Sequence, residues 1–143
     1  MKKIFSFLLL PVAALLVTGC LREITYNYVY RNDTNRTIEV TGYYERNNAV
    51  EMDCYFSVAP KETCTLSGTG FANHFYFPFQ GCNRIKLSDG ERTVLLMKTD
   101  KPSYEWHCLF RMDCYAKSSR NHTIWRTYTF TDRDFEDGVP IND

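Results

Sequence analysis

The chain has no excess charge of either sign: 17 basic residues stand against 17 acidic ones, with no long run of either. That balance removes the electrostatic footprint of a nucleic-acid binder. Catalytic signatures are missing too. There is no Gly-x-Ser-x-Gly elbow, no glycine-rich phosphate loop and no His-Glu-x-x-His. No CxxC or HxxxH spacing gathers His74, His107, Cys108, Cys114 and His122 into a metal site, and no cofactor is implied. Internal repeats and low-complexity stretches are absent, and good helix formers rarely fall in periodic runs. The apolar run from Ile4 to Leu16 contains Pro11 and falls short of the roughly 20 residues that span a bilayer.

What is present at the N-terminus is a secretory layout. Lys2 and Lys3 precede the apolar run, and Val17-Thr18-Gly19-Cys20 closes it. This is the pattern of a signal peptide with a lipobox, cut before a cysteine whose thiol is then acylated, for example with palmitate. An ordinary cleaved signal would not need Gly19-Cys20 at that place. The expectation is a signal peptide over residues 1–19 and one domain over 20–143, with Cys20 as the lipid-attachment site. A membrane partner follows through that anchor, and stable anchoring takes more than one acyl chain.

Past the signal, ten Tyr and ten Phe in the whole chain favour strands. Strand-like runs recur about every ten residues with turn chemistry between them. Ile24–Tyr30 ends at Asn32-Asp33-Thr34-Asn35, and Thr37–Tyr43 follows. Val50, Met52, Cys54, Phe56 and Val58 alternate with Glu51, Asp53, Tyr55 and Ser57, which predicts a strand with the first set facing a core. Ala59-Pro60-Lys61-Glu62 is a turn and Thr63–Leu66 a short fourth strand. Residues 84–97 read as a hairpin with a two-residue turn at Asp89-Gly90, placing Ile85 opposite Val94 and Leu87 opposite Arg92. Ile124–Phe130 is the last strand, and Thr131 with Asp134 forms the start of a helix of one or two turns. About seven strands predict an all-β antiparallel sandwich; a small barrel is the alternative.

Tyr26, Tyr28 and Tyr30 share one face of the first strand. Pairing of residue 28 with 38 puts them in the core beside Ile38 and Val40; pairing of 29 with 38 exposes them. The core is preferred, because a domain of this size needs large residues inside. Two segments do not read as strands. Gly68–Asn83 carries Phe71, His74, Tyr76 and further aromatics, and Asp100–His122 carries Trp106, Phe110 and two cysteines. Long irregular connections are often functional, so Phe71, His74, Tyr76, Trp106 and Phe110 form the candidate binding surface.

Besides Cys20, five cysteines remain, and in an exported chain disulfides are expected. Cys108 with Cys114 ranks first, six residues apart; Cys64 with Cys82 is second, and Cys54 with Cys64 is a third choice. Five is odd, so one thiol stays single or pairs between molecules.

Tyr-Val-Tyr-Arg-Asn-Asp-Thr (28–34), Val-Ala-Pro-Lys-Glu-Thr (58–63), Ile-Lys-Leu-Ser-Asp-Gly (85–90) and Tyr-Thr-Phe-Thr-Asp-Arg-Asp-Phe (128–135), taken with the lipobox, resemble a recurrent pattern. It is that of the small Bacteroidetes lipoproteins of unknown function. The resemblance implies an immunoglobulin-like sandwich and brings no catalytic residue. Leu21-Arg22-Glu23 replaces the acidic stretch that follows the cysteine in many surface-exposed lipoproteins of these bacteria. The functional expectation is therefore a non-catalytic binding or assembly module, lipid-anchored at the outer membrane on its periplasmic face or at the cell surface. Its further partner is another envelope protein or a glycan, which Tyr and Trp faces suit. The alternative is a secreted-side hydrolase acting on glycans, with carboxylates drawn from Asp132, Asp134, Glu136 and Asp137.

Overall fold

A computed structural model describes residues 22–47, 49–71, 74–98 and 108–141. Nine strands follow in order: β1 (Ile24–Asn32), β2 (Ile38–Arg46), β3 (Ala49–Val58), β4 (Thr63–Gly70), β5 (Arg84–Ser88), β6 (Arg92–Met97), β7 (Ala116–Arg120), β8 (Thr123–Phe130) and β9 (Val139–Pro140). They form two sheets packed as a sandwich, a four-stranded one in the order β4-β1-β8-β7 and a five-stranded one in the order β3-β2-β5-β6-β9. The all-β sandwich expected from the sequence is what the chain adopts. Among the described residues one pairing departs from the expected antiparallel order, the parallel β1 with β8, running from Thr25 opposite Thr123 to Asn32 opposite Phe130.

The tyrosines of β1 are buried, but not by pairing with β2. β1 and β2 lie in different sheets, so Tyr26, Tyr28 and Tyr30 meet Ile38 and Val40 across the sandwich, within one core cluster. Tyr128 and Phe130 of β8, Phe56 and Val58 of β3, and Ile85 and Leu87 of β5 complete it. The rings touch mainly edge to face: Tyr28 stands on Tyr115 at 5.7 Å and 87°, and Tyr128 on Phe130 at 5.1 Å and 62°, the geometry that the ring quadrupoles favour.

The alternation expected along all of β3 breaks in the middle. Gly42 pairs with Cys54 but Tyr43 pairs with Met52, leaving Asp53 as the extra residue of a β-bulge. Phe56 and Val58 stay in the core, while Val50 and Met52 turn out to solvent at 64% and 66% exposure. The break lies beside Gly42, where a Cβ would fall 2.7 Å from Cys82 Sγ and 3.0 Å from the Phe79 ring. Phe79 and Cys82 pack against the strand there, and only a glycine admits them.

The loop expected at Asp89-Gly90 is longer by two residues, Glu91 and Arg92, both on the β6 side. Ile85 faces Leu96, Leu87 faces Val94 and Ser88 faces Thr93. The Asp89 carboxylate sets this loop by accepting the backbone N–H groups of Glu91 (2.9 Å) and Arg92 (2.6 Å). The register moves by two, so each residue keeps its face. A hairpin that the sequence reading missed joins β7 to β8. Arg120 pairs with Thr123 across Asn121-His122, and both turn residues have positive φ, 47° and 62°, as a two-residue type I′ turn requires. β4 runs on to Gly70, past the expected end at Leu66. After β8 a single 3₁₀ turn, Asp132–Phe135, opens on the expected box, with the Thr131 N–H donating to Asp134 Oδ2 at 2.7 Å.

Candidate functional site

The candidate binding residues separate in the structure. Phe71 and His74 form a two-residue bridge, each N–H bonded to the other's C=O (3.0 and 2.9 Å). Phe71 and Phe75 stand half exposed on it. Tyr76 is instead a wall of the core. Its ring lies over Gly68, whose Cβ would come within 2.4 Å of Tyr76 Cγ, and its C=O accepts the Tyr28 hydroxyl at 2.9 Å. Phe110 packs inward on Phe79 with centroids 6.5 Å apart. Phe71, His74 and Tyr76 are thus one segment, and Phe110 is not part of an exposed face with them. Trp106 and Cys20 lie outside the described residues.

The expected disulfides are corrected. No cysteine pair among the described residues is at bond distance. Between Cys108 and Cys114 the contact is of another kind, the Cys108 backbone N–H donating to Cys114 Sγ at 3.2 Å, made possible by the 3₁₀ turn Met112–Cys114. Cys64 and Cys82, the second expected pair, and Cys54 with Cys64, the third, are likewise unbridged. Cys54 and Cys82 both border Gly42, whereas Cys64 sits on β4 of the other sheet, opposite Tyr30. Burial first, then the Asp53 carboxylate, pushes the Cys54 thiol up to about 11 and the Cys82 thiol up to about 12. Cys82 donates to Asp53 Oδ2 at 3.5 Å, and Lys98 pulls only weakly the other way. Burial also raises Cys64. These are protonated thiols at neutral pH, with little nucleophilic character.

Of the acids proposed for glycan hydrolysis, Asp134 is held in structural bonds. Asp134 accepts from the Thr131 N–H and hydroxyl and from the Tyr128 hydroxyl at 2.9 Å. Asp132 lines a cleft of about 280 Å³ with Asn35, Arg36, Arg92 and Phe135. The cations of that cleft are engaged: Arg36 pairs with Asp89 (2.9 Å) and Glu91 (2.8 Å), and Arg92 donates to the Phe135 C=O at 3.1 Å. Among the described residues no three His, Cys, Asp or Glu side chains converge as metal ligands.

A second cleft, of about 300 Å³, was not foreseen. Tyr44, Glu51, Asp53 and Gly81 line it, at the edge of the five-stranded sheet. Glu51 pairs with Tyr44 in the ladder, and Gly81 admits the Asp53 carboxylate, which a Cβ would meet at 2.8 Å. Strict alternation hides this site, because it assigns Met52 to the core and gives Asp53 no special place. The legible signal was Gly42, an isolated glycine inside a strand pattern, which marks a bulge or a close backbone approach.

The outer face of the same sheet carries exposed apolar side chains on its β3 and β6 strands, with Arg84 and Lys86 of β5 between them. Met52, Tyr43, Arg84 and Met97 form one row across it, and Lys86 pairs with Leu95 in the next. Val50, Met52, Tyr55, Leu95 and Met97 are all exposed.

Fold and surface together define an all-β sandwich with several large apolar side chains exposed on its five-stranded sheet. No family model, no curated protein and no solved structure matches the chain.

Proposed function

We propose that this chain is a lipid-anchored lipoprotein of the cell envelope that acts as a non-catalytic binding or assembly module. The observation that supports the reading is the solvent-facing side of the five-stranded sheet, where Val50, Met52, Tyr55, Leu95 and Met97 stand exposed. Large exposed apolar patches mark interaction surfaces more often than catalytic ones. The anchor rests on the Val17-Thr18-Gly19-Cys20 signal, which directs the body to the outer membrane with acyl chains on Cys20. The partner that fits an apolar sheet face is another envelope protein, ahead of a glycan.

Two measurements test this. Mass spectrometry of the membrane fraction is expected to find a polypeptide starting at an acylated Cys20, and Cys20→Ala is expected to release the protein from the membrane. Crosslinking in intact cells from cysteines placed at Val50 and Met97 is expected to capture a stoichiometric protein partner. A chain that keeps Met1 and an unmodified Cys20 in the cytosol overturns the anchor. Crosslinks to no protein overturn the assembly role.

A further inference from the structure

Every sheet ends in strands with unpaired N–H and C=O groups, and folded proteins normally blunt them. Here β9 is two residues long, and β7 carries Lys117 and Arg120. β4 is overlaid near its end, where Gly68 and Gly70 lie under Tyr76 and His74. Among the described residues, β3 is guarded only by its bulge at Asp53 and by the carboxylates of Glu51 and Asp53. It is ten residues long, terminal in its sheet, and exposed from Ala49 to Asp53, with neither Pro nor Lys. Its bulge at Asp53 divides its side chains between two surfaces. Val50, Met52 and Tyr55 join the apolar outer face, while Glu51 and Asp53 line the cleft with Tyr44 and Gly81.

We infer that the open edge of β3 receives an extended basic segment of a partner protein as an added strand, with a lysine or arginine of that segment entering the Tyr44–Glu51–Asp53–Gly81 cleft. This rests on the binding role proposed above and names the chemistry of its partner. Strand addition uses main-chain hydrogen bonds for affinity and alternate side chains for choice of partner. The side chains on one surface of the guest meet Val50, Met52 and Tyr55, so they are apolar. Those on the other meet two carboxylates and the ring of Tyr44, which suit a cation through charge and its π-face.

Charge also disfavours a second copy of this chain in the register centred on Met52. Antiparallel pairing of two β3 strands about Met52 sets Glu51 opposite Asp53 of the other copy, twice over, and like charges placed opposite destabilise a ladder.

The test uses the purified protein and capped nine-residue peptides that alternate valine or threonine with lysine, or with glutamate in place of lysine. Fluorescence anisotropy is expected to show the lysine peptide binding at least about tenfold tighter than the glutamate one, an advantage that shrinks as salt screens the charges. Hydrogen exchange is expected to slow at the β3 amides and not at β4 or β7. Glu51→Gln is expected to weaken the lysine peptide several-fold, with exchange elsewhere unchanged. Equal binding of the two peptides, or binding with β3 unprotected, overturns the inference. So does concentration-dependent dimerisation that protects β3 without peptide. If crosslinking in cells captures a protein partner while β3 stays open, this inference falls and the proposed function stands.

Discussion

At the scale of single residues, Asn32 does the most for the fold. It is fully buried, and its amide nitrogen donates to the C=O groups of Arg36 (2.7 Å), Val58 (2.9 Å) and Ala59 (3.2 Å). Its oxygen accepts from the N–H and hydroxyl of Thr34 (2.9 and 2.8 Å). One side chain thus ties the β1–β2 turn to the end of β3. Asn32→Ala leaves several buried groups unsatisfied and is expected to cost about 2–4 kcal/mol in urea unfolding. Two core tyrosines give the contrasting case. The Tyr115 hydroxyl donates to the Leu109 C=O at 2.8 Å, whereas the buried Tyr30 hydroxyl lies beside Tyr115 and makes no well-formed hydrogen bond among the described residues. Tyr115→Phe is expected to lose about 1 kcal/mol, and Tyr30→Phe to be neutral or stabilising, both read from the same denaturation curves. The sequence showed that Tyr30 is inside; only the packed core shows how its hydroxyl is placed.

Among the elements, the two hairpins show where local chemistry could be read and where it could not. Asp89-Gly90 is a turn, and Gly90 does take φ of 87°, but the buried Asp89 carboxylate builds a longer loop than a two-residue turn. Asn121-His122 is the tight turn, and it was hidden because histidine seldom occupies a position of positive φ and β7 shows no alternation. His122→Gly removes that strain and is expected to raise stability by about 0.5–1 kcal/mol, measured as an increase in Tm. The other loop carries a pH dependence. Burial works to raise the Asp89 carboxyl, but the Arg92 and Glu91 N–H groups and the Arg36 guanidinium outweigh it and hold it below its ordinary 3.8. The stabilisation is therefore complete above pH 3.8 and is lost as pH falls through the lower value of the folded state. Acid titration of unfolding is expected to show this loss in the native protein, and Asp89→Asn to flatten it while lowering stability at pH 7.

For the molecule as a whole, the sandwich and its tyrosine core were legible because period-two alternation and turn residues are local signals. Partners are not local. The sequence placed β1 beside β2 through the short Asn32–Asn35 turn, but that turn carries the chain across to the second sheet, and β1 lies between β4 and β8. The bulge in β3 was out of reach for the same reason: it lies beside Gly42, which packs against Phe79 and Cys82, far along the chain. The unforeseen cleft lies where that bulge turns Glu51 and Asp53 toward Tyr44 and Gly81. Strands so distant in sequence also have to find each other before the core can close, which places folding in the range of milliseconds to seconds.

The parallel ladder between β1 and β8 has a mechanical meaning. The beginning of β1 and the end of β8 point out of opposite ends of it, and β1 is held on its other flank by β4. Tension applied to the start of β1 and the end of β8 drags these strands lengthwise past one another, so their rungs share the load and must rupture together instead of unzipping singly. Force entering at the start of β1 therefore falls on a strand gripped on both flanks.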